Sequence, residues 1–153
     1  MKFQNPLLAV TDLAASVAFY RQVLGLRVVM DFGANVTLTG GVCLQTLDTW
    51  RELIGCKAVA LGGSAGELYF EEEDFDTFAE KLAKMNIEYV HPVKEHRWGQ
   101  RAVRFYDPDR HIIEVGETME AVIRRFLASG MSAQQVAERM DVPLKLIKKY
   151  VNG

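Results

Sequence analysis

The sequence predicts an α+β fold in which two βαβββ modules form a curled mixed sheet around a cavity, followed by a C-terminal helical appendage. Two observations carry this prediction. The order strand, helix, strand, strand, strand occurs twice within the first 117 residues, and only helical patterns follow. Each module would also expose an apolar sheet face that it cannot bury alone, so the two modules must pack together.

In the first module, residues 3–10 form a predicted strand. Asp12 is the predicted cap of a helix over residues 13–24, and Gly25 ends that helix. Three short strands are predicted to follow, at residues 26–32, 35–39 and 42–47, with Gly40-Gly41 as the turn between the last two.

In the second module, residues 67–72 form a predicted strand, and Asp74 caps a predicted helix that runs to about residue 85. The turn Asp107-Pro108-Asp109 indicates a tight hairpin, because proline fixes φ and the aspartate side chains can bond their own backbone. The remaining strands are predicted at residues 87–91, 101–106 and 111–115.

These elements divide the chain into a paired βαβββ domain over residues 1–117 and a three-helix tail over residues 118–153. The modules cover about residues 3–47 and 67–117. The segment between them, residues 48–66, is a linker with a glycine-rich end typical of a flexible connection.

The tail pattern Ala137…Asp141-Val142…Ile147 resembles a helix-turn-helix core. Its last helix would carry Lys145, Lys148 and Lys149 but has no side chain suited to reading base edges, apart from Asn152. We therefore do not expect nucleic acid as a partner and expect a tail that packs on the body, covers the pocket or covers a dimer seam.

Charge and hydropathy exclude other classes. The formal net charge is −2, divided into about +3 in the tail and −5 in the rest, so charge alone favours nucleic-acid binding by the tail and not by the body. No apolar run reaches the roughly 18 residues of a membrane span, and the N-terminal residues lack the layout of a signal peptide. A cytoplasmic location without membrane contact is expected.

Glu114 is the first candidate functional residue. Side chains alternate faces along a strand, so Glu114 shares a face with Ile112, while His111 and Ile113 lie on the other. A carboxylate on an inward apolar face is costly unless it has a partner or a function.

The chain resembles the vicinal oxygen chelate superfamily, which includes glyoxalase I, bleomycin-resistance proteins and extradiol dioxygenases, over about residues 3–117. The resemblance lies in the stretch Ala9-Val-Thr-Asp-Leu-Ala-Ala-Ser-Val-Ala-Phe-Tyr-Arg-Gln-Val-Leu-Gly-Leu. It continues in Trp98-Gly-Gln-Arg, Phe105-Tyr-Asp-Pro-Asp and Ile112-Ile-Glu114.

This resemblance implies one divalent metal ion, held by inward residues of four strands and chelated by paired substrate oxygens. The matching positions are Glu114, Glu67, Gln45 and, on the first strand, Asn5. The usual histidine ligands are absent, so Glu67, Glu114 and Gln45 would favour Mg or Mn, or the site holds no metal. Without a metal, three alternatives stay open: the two glutamates bind a cationic or hydroxyl-bearing ligand, they pair through one proton, or a pocket arginine neutralises one of them. In an enzyme they would act as metal ligands or as acid/base groups.

Three neighbouring residues complete the predicted ligand site. Trp98 and Arg97 would offer a flat apolar surface beside a fixed cation, with core packing as the alternative for Trp98. His96 would contact the ligand or supply an imidazole, whereas His91 is interpreted as a turn residue before Pro92.

The resemblance implies the first two of three possible functions and the tail pattern suggests the third, and the absent histidine ligands leave open whether the chain is an enzyme. The first is a glyoxalase-like enzyme of lyase or isomerase type that acts on an oxygen-rich substrate in the inter-module cavity. The second is a non-catalytic small-molecule-binding protein of bleomycin-resistance type, and the third is a ligand-responsive DNA-binding regulator. A homodimer is expected because the superfamily commonly forms one.

Overall fold

A computed structural model describes residues 1–151, so Asn152 and Gly153 of the predicted tail lie outside the described residues. The chain forms two compact units. One contains Met1–Gly66 with Tyr106–Ile112, and the other contains Glu67–Phe105 with the chain from Ile113 onward. Each unit is built on one four-stranded sheet with helices, which confirms the predicted α+β class and the two βαβββ modules.

The first sheet has the strand order β1-β4-β3-β2, with β1 parallel to β4 and the other neighbours antiparallel. A 3-10 turn at Thr39–Gly41, with positive φ at both glycines, joins β3 to β4. The elements of this unit are β1 (Leu7–Val10), α1 (Leu13–Leu24), β2 (Val28–Asp31), β3 (Asn35–Leu38), β4 (Cys43–Thr46) and α2 (Leu47–Ile54).

Local signals determine α1. The Asp12 carboxylate accepts a hydrogen bond from the Ala15 amide at 2.9 Å, and Gly25 ends the helix in the left-handed conformation at φ 71°. Both features were predicted. The first strand was predicted too long, because Pro6 has no amide hydrogen for a sheet ladder and β1 begins only at Leu7.

The second sheet has the strand order β5-β8-β7-β6. Alternation separates its two faces: Val103 and Phe105 are buried on one side of their strand, and Arg104 points to the other. The apolar face, together with the buried side of α3, supplies the core. The elements are β5 (Glu67–Glu72), α3 (Phe75–Ala83), β6 (Tyr89–Glu95), β7 (Arg101–Tyr106) and β8 (Ile112–Glu117).

The tail contains three helices, α4 (Met119–Ala128), α5 (Ala133–Met140) and α6 (Leu144–Val151), as predicted. Ser132 and Gln135 form the predicted capping box, and Asp141 turns the chain between α5 and α6 in the left-handed conformation at φ 56°. None of the described helices has the length and apolar character that a membrane span requires. The helices enclose a core of Val122, Ile123, Phe126, Val136, Ala137, Met140 and Ile147.

The hairpin loop between β7 and β8 belongs to the first unit. As predicted, the Asp107 carboxylate bonds its own loop, accepting from the amides of Asp109 at 3.0 Å and His111 at 2.8 Å. The buried Asp109 carboxylate instead accepts from the Thr11 amide at 3.0 Å and from the Thr11 hydroxyl at 2.7 Å. The loop is therefore anchored to the segment that precedes α1.

We expect Asp109→Ala to lower the free energy of unfolding by about 2 kcal/mol, because it removes two hydrogen bonds to a charged acceptor. Chemical denaturation followed by circular dichroism measures this. Asp48→Ala is the control, since Asp48 is exposed and pairs only with its helix neighbour Arg51, and should change stability by less than about 0.5 kcal/mol. Equal effects of the two substitutions would contradict the anchoring role.

Candidate functional site

The polar face of the second sheet brings together Glu67, Arg104 and Glu114. Glu67 begins β5, Glu114 lies in β8 and Arg104 lies in β7. Since β8 runs between β5 and β7, the three side chains come from neighbouring strands. The two glutamates of the predicted site are thus adjacent, and an arginine that the sequence analysis did not single out lies with them.

One guanidinium bridges both carboxylates. Arg104 donates from Nε to Glu67 Oε2 at 2.7 Å and from Nη2 to Glu67 Oε1 at 3.2 Å, which is a bidentate pair. The same Nη2 also donates to Glu114 Oε2. The Glu114 side chain is 7% exposed and that of Glu67 is 33% exposed, so Glu114 lies at the base of the site and Glu67 near the solvent.

The two carboxyl groups differ in proton affinity. Burial raises the pKa of Glu114 to about 7, and a hydrogen bond shared with Glu67 adds to this effect while the Arg104 charge opposes it. Hydrogen bonding from Arg104 lowers the pKa of Glu67 below its ordinary value. Near neutral pH the pair therefore holds one proton in part, and Glu114 is its main carrier.

His91 is a further member of this cluster. Its Nε2 lies 3.2 Å from Arg104 Nη1, and its Nδ1 lies 2.8 Å from the Pro92 carbonyl oxygen. A guanidinium has only donors, so Nε2 accepts, and Nδ1 must carry the hydrogen that is donated to Pro92. The prediction that His91 is a turn residue is wrong, because β6 continues through Pro92, where the strand pairing is irregular.

The turn between β6 and β7 carries an aromatic pair. The His96 and Trp98 rings stack at a centroid distance of 4.5 Å and an interplanar angle of 10°. Burial and then the Arg104 charge lower the pKa of His96. Trp98 is 41% exposed, and the alternative that it packs in the core is wrong. The exposed Arg97 lines a separate cavity of about 540 Å³ with Trp98 and residues of α5.

Gln100 and Tyr69 were missed by sequence reasoning. The buried Gln100 donates from Nε2 to Tyr69 Oη at 3.0 Å and accepts from Trp98 Nε1 at 3.1 Å, so it links the aromatic pair to β5. A side chain at Gly116 would lie 3.0 Å from the Gln100 amide and 3.3 Å from the Tyr69 ring. Strand alternation places Tyr69 on the face of Glu67, which is a signal that could have identified it.

Asn5 and Gln45 belong to the first unit. Asn5 precedes β1 and donates from Nδ2 to the Gly41 carbonyl at 2.7 Å, so its predicted place on the first strand is wrong. Gln45 lies on β4 as predicted, but its amide is buried and used locally, with Oε1 accepting from Asn35 at 2.8 Å and Nε2 donating to Thr49. Their roles as ligand-binding groups stay predictions.

The residues of the cluster do not fit a resident divalent metal. Within residues 1–151, no three His, Cys, Asp or Glu side chains lie close enough together to hold an ion. The oxygens of Glu67 and Glu114 that would bind a cation already face the Arg104 guanidinium, and the Gln45 amide oxygen is engaged by Asn35. We therefore assign no chemical step to a metal at this site.

The raised pKa of Glu114 makes stability depend on pH. The folded protein holds a proton that an unfolded carboxyl, with its pKa of 4.5, releases, so folding binds a proton between about pH 4.5 and 7. The free energy that the Glu114 proton adds to folding is fully present below pH 4.5 and is lost as pH rises through about 7. We expect the Glu114 contribution to stability to fall by about 2 kcal/mol between pH 5 and 8, equivalent to a melting temperature lower by about 5 °C.

Glu114→Gln removes the titrating carboxyl group and should therefore flatten the dependence of the melting temperature on pH. Melting temperatures of both proteins at pH 5, 6, 7 and 8 test the prediction. Glu71→Gln, an exposed change on the neighbouring strand β5, should retain the wild-type slope. Parallel curves for wild type and Glu114→Gln would contradict the assignment of the proton.

The comparisons with known proteins agree with this fold. A family model described as a Glyoxalase-like domain matches residues 3–120. No curated protein matches the chain significantly. A protein of unknown function from Agrobacterium tumefaciens str. C58 is 39% identical, with 78% of this chain and 95% of that chain covered and a TM-score of 0.72.

Two more distant structures share the fold. A glyoxalase-related enzyme from Fulvimarina pelagi is 20% identical, with 76% of this chain and 88% of that chain covered and a TM-score of 0.66. The fosfomycin resistance protein FosX from Listeria monocytogenes is 18% identical, with 80% and 98% covered and a TM-score of 0.60. The chain therefore belongs to the glyoxalase-like domain family.

Proposed function

We propose that the protein is a metal-independent enzyme of lyase or isomerase type, in which Glu114 transfers a proton to or from an oxygen-rich small molecule. The observation that carries this proposal is the pair of carboxylates bridged by one guanidinium on the polar face of the second sheet. A structural ion pair needs only one carboxylate for each arginine, whereas this cluster keeps a second, buried carboxyl that is partly protonated at neutral pH.

The chemistry follows from the different environments of the two acids. Glu114 can donate or accept a proton near pH 7, while Glu67 stays ionised beside Arg104. When a proton leaves a carbon next to a carbonyl, negative charge collects on the substrate oxygen. Arg104 is a fixed cation close to Glu114 and would stabilise that charge. Burial of Glu114 keeps water from its carboxyl group.

A second candidate is binding without turnover, of the bleomycin-resistance type. The exposed His96–Trp98 stack favours it, because two parallel rings offer a flat surface to a planar ligand. Glu67 is the more exposed carboxylate and would attract a cationic group on such a ligand. The enzyme hypothesis differs in that it requires the proton on Glu114.

Metal content and turnover are measured together. The protein is exposed to Mg, Mn, Fe, Ni and Zn ions, desalted and analysed by mass spectrometry of metals. Vicinal dioxygen compounds, including methylglyoxal–thiol adducts, are then screened for conversion in EDTA. We expect well below one ion per chain and turnover that survives EDTA. About one retained ion per chain, lost in Glu114→Gln, would overturn the metal-independent mechanism. No turnover, with saturable binding of metal-free bleomycin, would support the second candidate.

A further inference from the structure

The tail helices hold the turn that carries the aromatic pair. This turn, residues 96–99, is called the aromatic turn below. Gly99 has φ 92°, and a Cβ at that position would lie 2.3 Å and 2.4 Å from two ring carbons of Phe126 in α4. The Phe126 ring therefore rests directly against the Gly99 backbone, at a position where only glycine fits.

Two arginines of the tail bind the same turn through its backbone. Arg125 donates to the Gly99 carbonyl at 2.6 Å. Arg139, at the end of α5, donates from Nη1 to the Arg97 carbonyl and from Nη2 to Glu95 at 2.7 Å. Both guanidinium groups also lie over the Phe126 ring, at 4.8 Å and 5.5 Å from its centroid. These three side chains form a single support for the turn.

Among the described residues, few other hydrogen bonds fix the turn. Its own backbone bonds are His96 amide to Gln100 carbonyl and Gly99 amide to His96 carbonyl, each 2.8 Å long. The Trp98 indole adds one bond to Gln100. A short loop with an exposed tryptophan loses order easily, because solvent replaces such bonds at low cost. The orientation of the His96–Trp98 stack therefore depends on the tail.

We infer that Phe126, Arg125 and Arg139 are positioning residues through which the C-terminal helices orient the aromatic wall of the ligand site. The tail is then a component of ligand recognition, although none of these three side chains belongs to the acidic cluster. The effect on ligand binding rests on the proposed function, whereas the effect on the turn does not.

Arg139 gives the sharpest test because it is half-buried and its head group contacts the aromatic turn, Glu95 and the Phe126 ring. Arg139→Gln removes these contacts. Arg124→Gln is the matched control, since Arg124 is also a tail arginine that pairs with a sheet-side carboxylate, Glu73 at 2.6 Å, but makes no contact with the turn. Glu95→Gln weakens the same contact by changing the partner of Arg139 on β6. It replaces Arg139→Gln in the test if that variant folds poorly.

The first readout needs no ligand. In a Trp50→Phe background, acrylamide quenching reports Trp98 alone, and hydrogen exchange reports the amides of His96 and Gly99. In Arg139→Gln we expect at least twofold stronger quenching and at least tenfold faster exchange, with a melting temperature within about 3 °C of the parent. Arg124→Gln should match the parent. Parent-like quenching and exchange in both Arg139→Gln and Glu95→Gln would overturn the inference.

The second readout uses metal-free bleomycin, or the substrate if turnover has been found. We expect Arg139→Gln to weaken binding about fivefold or to raise KM with an unchanged kcat, while Arg124→Gln does neither. A loosened turn with unchanged affinity would overturn the link to recognition. If wild type neither binds nor turns over any compound, the proposed function fails, and Trp98 quenching still decides whether the tail positions the turn.

Discussion

Replacing Glu117 with alanine is expected to lower the free energy of unfolding by about 3 kcal/mol, because it removes a buried carboxylate that accepts four hydrogen bonds. Glu117 ends β8 and is 1% exposed. It accepts from Arg101 Nη2 at 2.8 Å, from the Arg101 amide at 2.9 Å and from Arg125 at 2.8 Å and 3.1 Å. Alanine would leave the half-buried Arg101 and Arg125 with only more exposed carboxylates as described partners, Asp76 at 2.7 Å and Glu95 at 3.4 Å.

Protonation of Glu117 at low pH should reproduce part of this loss of stability. Burial opposes ionisation of Glu117, but hydrogen bonds from Arg125 and Arg101 prevail and lower its pKa below the ordinary range. Its contribution is therefore present above pH 4.5 and is lost as pH falls through the lower folded-state pKa. The difference between wild type and Glu117→Ala should be constant from pH 6 to 8 and shrink below pH 4.

Urea unfolding at several pH values measures both effects. Glu138→Ala is the control, because Glu138 is an exposed tail residue that receives one hydrogen bond from Gln134, and it should cost less than about 0.5 kcal/mol. A loss below about 1 kcal/mol for Glu117→Ala would show that the two arginines find other partners at little cost.

The second large effect is on catalysis. For a substrate identified in the EDTA screen, Glu114→Gln should lower kcat/KM by about 10²–10⁴, the range for losing a general acid or base. Glutamine keeps the size of the side chain and an acceptor for Arg104 but cannot exchange a proton. The wild-type pH–rate profile should bend near pH 7, because burial raises the pKa of Glu114 to about that value, and the variant should lack this inflection.

Glu71→Gln is the matched catalytic control, since Glu71 lies on the same strand face as Glu67 and accepts only from the Tyr69 hydroxyl among the contacts described for it. It should change kcat/KM less than twofold. A Glu114→Gln enzyme with the wild-type rate and the same pH inflection would move the proton transfer to another group.

Elements with local signals were predictable from the sequence. The bounds of α1 were predicted correctly because Asp12 and Gly25 mark them within the chain itself, and β7 was predicted correctly from its alternation. β6 was placed too early, since its course through Pro92 depends on pairing with β7 rather than on its own residues. Strand pairing is a tertiary property that a single segment does not encode.

The same distinction applies to the site. Glu114 was identifiable as a carboxylate out of place in an apolar strand, and the family resemblance added Glu67. An arginine that neutralises one of them was among the alternatives, but naming Arg104 requires the register of β7 against β8. The Gly99–Phe126 contact joins residues 27 positions apart and has no local signature.

The fit of Phe126 against Gly99 also bears on where the functional domain ends. The family match stops at residue 120, before any of the three side chains that support the aromatic turn. A chain cut there would keep both glutamates and Arg104, yet it would expose the backbone of Gly99 and release the carbonyl of Arg97. Homology alone would therefore define a fragment with its acids in place and its aromatic wall unsupported. The sequences at positions 99 and 126 are also expected to change together, because any larger residue at the first demands a smaller one at the second.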